Sequence, residues 1–320
     1  MDVNQGGRPQ SDREWKLLEK LLLSVHDESR KQRRWTIFFR LMTFAYLFLL
    51  LVLFLPGRSG VQVPVSGEHV GIIDVSGVIA DGADASADVI VTGLREAFDA
   101  KDSKAIILRI NSPGGSPVQS AYVYREIQRL REKHPNKKVY AVITDIGASG
   151  AYYIAAAADE IYADQASIVG SIGVIMAGFG FTDAIEKLGV ERRVMTAGEN
   201  KALMDPFAPL EADQQKHVQN MLDEIHRQFI DAVRQGRGKR LLEGRDKEIF
   251  SGLFWTGEQA KALGLVDGFG SPGQVSRDVI GVEEMVDYTP RRHPLDDLLG
   301  KLGTQIGLGI ANSLGGVSVR

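Results

Sequence analysis

Chemistry in a chain without cysteine must come from Ser, Lys, His or carboxylates, and one serine of this 320-residue sequence is set apart by its neighbours. In "DIGASGAYYIA", residues 145–155, Ser149 stands between two glycines, after a β-branched run and before an alanine-rich segment. That strand-turn-helix pattern has the form of the sharp turn that exposes a serine hydroxyl in G-x-S-x-G sequences, with Ala151 in the place of the last glycine. The N–H of Gly150 is then available to an oxyanion. The same residues also fit a small-residue turn that packs a helix onto a sheet.

A second loop has complementary chemistry. In "INSPGGSPVQSAYVYREIQRL" a strand runs into Pro113-Gly114-Gly115 and then a helix, with Ser116 as N-cap and Pro117 at its first position. Two adjacent glycines let backbone N–H groups approach a ligand oxygen beside the positive end of a helix, the make-up of an oxyanion hole. An ordinary tight turn between strand and helix is the plainer reading of the same residues.

The proton acceptor is harder to find. The histidines are His26, His69, His134, His217, His226 and His293, and none is well placed for a Ser-His-Asp triad. His217 and His226 lie nine residues apart on one expected helix, on opposite faces, so they form neither a metal pair nor a base. Surface or capping roles suit all six. A lysine replaces histidine where its ammonium is desolvated or held by neighbours so that a neutral amine is populated. The candidate is Lys201 in "MTAGENKALMDPFAP", flanked by Ala202, Leu203 and Met204, although most lysines in such loops are simply solvated.

Beyond residue 70, short apolar runs alternate with amphipathic stretches. Strands are expected at "GIIDVSGVI", "AIILRI", "VYAVITDI" and "RRVMT", and helices near 87–100, 117–132, 151–158, 181–188 and 211–235. Alternation of this kind predicts βαβ units around a largely parallel, buried sheet, whose active sites lie beyond the C-terminal ends of strands. Both glycine loops sit there. On the last helix Val218, Leu222, Ile225 and Phe229 form one stripe, read as a core or subunit contact rather than a binding box. "GFGSPG" at 268–273 matches G-x-G-x-x-G but lacks a βαβ context and reads as a turn. No Walker motif or metal-ligand cluster stands out, so neither metal nor cofactor is expected.

Ahead of this region lies a different kind of segment. Leu41–Leu55 is fifteen residues without a charge, and extension back to Trp35 gives twenty-one interrupted only by Arg40. At about 1.5 Å per residue the longer span matches the roughly 30 Å of a bilayer core if Arg40 snorkels. Nine Lys or Arg precede Leu41, whereas Arg58 is the only one between Pro56 and Leu94. The asymmetry predicts a cytoplasmic N-terminus and an uncleaved anchor, since the leading region is too long for a signal peptide. Ser11 and Glu14 form a capping box ahead of Trp15, Leu18, Leu22 and Val25 at helical spacing. The domain plan is therefore an amphipathic cytoplasmic segment at 1–34, an anchor at 35–56, a linker at 57–70, a catalytic domain at 71–290 and a tail at 291–320. A net charge of -3 supplies no positive field for nucleic acid, which is not an expected partner. The 44% hydrophobic and 25% charged composition is that of a globular chain.

Taken in order, "NSPGG", "GASGAYYIAAAADEIYA", "GSIGVIM" and "TAGENKALMDPF" closely resemble the signal peptide peptidase A family of membrane-bound Ser-Lys proteases, over about Gly71 to Gly270. The resemblance implies an α/β fold like those of the Clp protease and the crotonases. It makes Ser149 the nucleophile and Lys201, 52 residues downstream, the general base. It further implies that Ser171 in "GSIGV" holds the lysine amine, and that Gly114, Gly115 and Gly150 lie nearest the oxyanion. Long family members carry two tandem copies; this chain has one, as the short members do. By analogy Ser149 and Lys201 meet across a subunit boundary of a homo-oligomer. The implied substrates are hydrophobic peptides such as remnant signal peptides, cleaved on the periplasmic side of a bacterial inner membrane. Three competing readings are a general membrane quality-control protease of the same family, a crotonase-like acyl-CoA enzyme using the same glycines, and a silent membrane scaffold.

Overall fold

The computed structural model describes Trp15, Lys20, residues 33–50, 67–242, Gly244 and 248–291. Two compact units, Met1–Pro64 and Val65–Arg320, are distinguished. In the first, residues 33–50 form helix α1, which carries Arg33, Arg34 and Arg40 among mostly apolar and mostly exposed residues. Among the described residues no helix is long and apolar enough to cross a membrane. The rest of the expected anchor, residues 51–56, lies outside the described residues. So do most of the segment at 1–34 and, apart from Arg291, the tail at 291–320.

The second unit is built on three long apolar runs. Strand β1 (His69–Ser76), β2 (Ser103–Ser112) and β3 (Val139–Ala148) pair side by side in parallel. Their connections are the helices α2 (Ala87–Asp99) and α3 (Pro117–Lys133). Alternation along β2 explains why both faces are apolar. Ile106, Leu108 and Ile110 enter the main core with Ile90, Leu94, Val123 and Ile127 of the helices. Ala105 and Ile107 enter a smaller core with Val70, Ile72 and Val142. A sheet covered on both sides has no solvent-facing side, so its strands read as near-continuous hydrophobic runs. Each Ile or Leu buried this way contributes about 1.5–3 kcal/mol.

Short strands extend the sheet to eight. β4 (Glu160–Ala163) and β5 (Ile168–Gly170) both pair with β3 in parallel, β6 (Phe254–Thr256) adds antiparallel to β5, β7 (Gly268–Phe269) pairs with β4, and β8 (Met285–Asp287) pairs with β1. The sheet is thus parallel except at β5–β6. After β3 comes the short helix α4 (Gly150–Ala155), then α5 (Thr182–Lys187) and the long α6 (Ala212–Arg237).

Three expectations need correction. Residues 192–196, expected as a strand, form none; Val194 and Met195 are exposed, Met195 by 99%, so the run has no sheet to join within the chain. His69, assigned to the linker, starts β1 and is buried, its Nε2 2.8 Å from the Tyr288 hydroxyl and its ring stacked on that tyrosine. The "GFGSPG" stretch contains β7, and its Ser271 then caps a short helical turn in a capping box with Gln274.

Candidate active site

Ser149 follows the last residue of β3 and precedes the first residue of α4, and it pays for this position in backbone conformation: its φ of 53° and ψ of -125° lie where side chains are rarely tolerated. Such a residue costs on the order of 1–3 kcal/mol and persists only where its surroundings enforce it. Here they do. The Ser149 N–H donates to the Gly170 carbonyl at 2.8 Å, and the Tyr153 N–H donates to the Ser149 carbonyl at 3.0 Å. Below the turn, Ala151, Tyr152, Ile154 and Ala155 are fully buried, and the Tyr152 hydroxyl donates to the Leu265 carbonyl at 2.7 Å.

The glycine loop after β2 packs directly on this turn. A Cβ at Gly114, whose φ is +96°, would sit 2.7 Å from the Ala148 oxygen, the Gly150 nitrogen and the Ser149 Cβ, so only glycine lets the two loops come this close. The loop is pinned from its other side. Ile79 donates its N–H to the Gly114 carbonyl at 2.9 Å and accepts from the Ser116 N–H at 2.7 Å. Ser116 then caps α3, its hydroxyl accepting from the Gln119 N–H at 3.3 Å. The three glycine amides are not equivalent. That of Gly114 donates to the Ser112 hydroxyl at 3.1 Å, whereas those of Gly115 and Gly150 have no partner among the described residues. The latter two are neighbours, the Gly115 nitrogen lying 3.3 Å from where a Gly150 Cβ would be.

These groups border a cavity of about 380 Å³. Gly115, Ser149 and Gly150 form one edge, and the walls are mostly apolar: Val118 and Ala121 from α3, Tyr153 from α4, Ile175 beyond β5, and Ile225 and Phe229 from α6. Tyr153 stacks on Phe229 with ring centroids 4.9 Å apart and meets Tyr124 edge-on at 5.3 Å. Burial raises the Tyr153 phenol above its ordinary value, against the lowering influence of the Arg125 charge. The stripe on α6 expected to be a core or subunit contact therefore also walls the cavity through Ile225 and Phe229. Sequence reasoning missed Tyr153, one helical turn after Ser149, and its i, i+4 spacing from the serine is the signal that would have found it.

Helix α6 is held in place at two points. His226 Nε2 lies 3.0 Å from the Ile172 carbonyl. At the C-terminal end, Arg237, whose side chain is 0% exposed, donates to both carboxylate oxygens of Asp267 at 2.7 and 2.9 Å and to the Gly264 carbonyl at 2.9 Å. Burial works against the charged form of Asp267, but the Arg237 hydrogen bonds and charge outweigh it and hold the carboxyl below its ordinary value.

Ser171 lies one residue past Gly170, the acceptor for Ser149, so the two serines are linked through a single backbone bond. It too has a positive φ, 52°, and its N–H donates to the Leu253 carbonyl at 2.7 Å. Neither Lys201 nor Ser171 is among the residues that line the cavity. Lys201 is exposed, its N–H bonded to the Gly198 carbonyl at 3.1 Å. The segment that carries Lys201 is internally braced. Phe181 donates its N–H to the Pro206 carbonyl at 2.6 Å, Arg192 bonds Asp205 at 2.7 Å, and the Phe181 and Phe207 rings lie 5.6 Å apart. It nonetheless presents Ile175, Phe179, Leu188 and Met195 to solvent. Among the described residues no group of three or more His, Cys, Asp or Glu is arranged to hold a metal ion.

A mixed α/β core with a strained serine between a parallel strand and a helix, facing a double-glycine loop, defines a class of protein rather than one member of it. Residues 131–279 match the model of peptidase family S49. A Synechocystis protein named "Putative protease slr0021" is 36% identical over 199 residues, which cover 62% of this chain and 69% of that protein. One from Enterococcus faecium named "Putative signal peptide peptidase SppA" is 30% identical over 213 residues, covering 64% and 61%. The chain belongs to peptidase family S49, the signal peptide peptidase A family. It is also 49% identical over 188 residues to a Brucella abortus protein named "Na(+)/H(+) antiporter NhaA", but that match spans 59% of this chain and only about a quarter, 25%, of the relative's own length.

Proposed function

We propose that this chain is a membrane-anchored serine endopeptidase with a crotonase-like and Clp-protease-like core, acting on hydrophobic peptides such as remnant signal peptides. The observation that carries the reading is Ser149 itself, held at a positive φ on the edge of an apolar cavity beside two glycine amides without a partner among the described residues. In the first step the Ser149 hydroxyl gives its proton to the amine of Lys201 as Oγ attacks a peptide carbonyl. The Gly115 and Gly150 amides stabilise the oxyanion, each such donor contributing about 3 kcal/mol, and Gly114 keeps the two loops in register. Lysinium then protonates the leaving amine, and water, deprotonated by the same lysine, hydrolyses the acyl-enzyme. Ser171 is assigned to hold the lysine amine.

The exposed position of Lys201 on an arm with solvent-facing Phe179, Leu188 and Met195 supports the view that the lysine serves Ser149 of a neighbouring copy in a homo-oligomer. The uncharged run at Leu41–Leu55 and the basic residues ahead of it support an anchor in the bacterial inner membrane with the catalytic unit in the periplasm. A fluorophosphonate probe tests the nucleophile. The full chain in detergent is expected to label once per subunit and Ser149→Ala not at all; labelling that survives the substitution would remove Ser149 from the role.

A further inference from the structure

The cavity beside Ser149 is mostly apolar, and only one of its lining residues is charged. Arg125 stands one turn beyond Ala121 on the face of α3 that forms the wall, with Gln228 of α6 also in the lining. Its guanidinium lies 5.2 Å over the ring of Tyr122, and among the described residues no carboxylate comes within ion-pair distance of it. Tyr153 belongs to the same lining; burial raises its phenol, while the Arg125 charge lowers it and the exposed Asp231 on α6 raises it. Arg125 is itself exposed, so it sets a cation at the solvent-facing side of a mostly apolar lining that contains no acid, which favours an apolar or acidic guest and disfavours a basic one.

We propose that Arg125 is a specificity-determining residue: the substrate side chain next to the attacked carbonyl enters this cavity, where apolar and acidic residues are accepted and Lys or Arg is rejected. The inference rests on the reading of Ser149 as a peptidase nucleophile, because the cavity edge formed by Gly115, Ser149 and Gly150 is what ties the recess to the reacting carbonyl.

Fluorogenic peptides identical except for Leu, Glu or Lys at that position separate the possibilities when kcat/KM is measured on the full chain. Wild type is expected to prefer Glu over Lys by roughly tenfold, the ratio expected when a partly exposed charge attracts one side chain and repels the other, and Arg125→Glu is expected to reverse the order. Equal rates for the Glu and Lys peptides in wild type, or an unchanged ratio in Arg125→Glu, would overturn the inference. Binding of the same peptides to Ser149→Ala, read by fluorescence anisotropy, keeps the two claims apart. A Glu preference in binding without any turnover by wild type sinks the peptidase reading alone, and Ser149-dependent turnover without the preference sinks the Arg125 assignment alone.

Discussion

Replacing Arg237 by Met asks whether the cavity wall depends on one buried ion pair. The substitution removes two hydrogen bonds to Asp267 and one to the Gly264 carbonyl from a side chain with no solvent exposure. Asp267 would keep the Ile161 amide at 2.7 Å and Arg240 at 3.5 Å, which leaves a half-buried carboxylate without its main counter-ion. Breaking a buried pair from one side costs about 3–5 kcal/mol, and for a unit of this size that lowers Tm by roughly 6–20 °C. Adding Asp267→Asn removes the stranded charge while retaining an acceptor for Ile161, so the double variant should recover about 1–3 kcal/mol relative to the sum of the two single changes. Urea unfolding of the four proteins, followed by circular dichroism and by Tyr fluorescence, measures both quantities. A single-variant cost below about 1 kcal/mol, or strict additivity in the double variant, would refute the argument that this pair fastens α6 to the sheet.

Two further outcomes follow from the same geometry. Gly114→Ala should abolish turnover while the unit stays folded, because the new methyl meets backbone of the Ser149 turn at 2.7 Å from a residue with φ of +96°; near-normal activity in a folded Gly114→Ala protein would show that the two loops are not held this tightly. Acid should destabilise the domain. Glu126 is held down to about 2, first by its hydrogen bond from Arg129, with burial opposing and Arg95 adding to the lowering, and Asp267 is also below its ordinary value. Groups with depressed folded values stabilise above their unfolded values and lose that contribution as pH falls through the folded ones, so urea midpoints should hold steady above about pH 5 and decline between about pH 4.5 and about 2. A midpoint that is flat or rising over that window would contradict the assignment.

The part of the site read most directly from sequence is the part made by local rules. Ser116 and Pro117 announce the start of α3, paired glycines announce a close approach, and a serine between glycines after a β-branched run announces the elbow at Ser149. β1, β2 and β3 are equally plain because both faces are buried and the runs are long. The strands from β4 to β8 are two to four residues each, too short for a period to show, and β4 and β5 exist because β3 offers an edge for "EIYA" and "IVG" to pair with. Residues 192–196 show the reverse: β-forming residues without a partner strand stay unpaired. Phe229 could not be divided between core and cavity from its spacing alone, since one stripe on α6 serves both. Arg237 was invisible because an arginine near a helix C-terminus ordinarily reads as solvated, and only the fold brings Asp267 to it.

In the proposed mechanism Ser149 and Lys201 form one catalytic unit supplied by two copies of the chain. Mixing Ser149→Ala with Lys201→Ala, each expected to be inactive by itself, under conditions where subunits exchange tests this through hydrolysis of a hydrophobic fluorogenic peptide followed together with oligomer size. Activity is expected to return on mixing, because some boundaries then combine an intact Ser149 with an intact Lys201. Lys201→Ala that retains full turnover by itself, or exchanged mixtures that stay inactive although the wild-type oligomer is active, would contradict it.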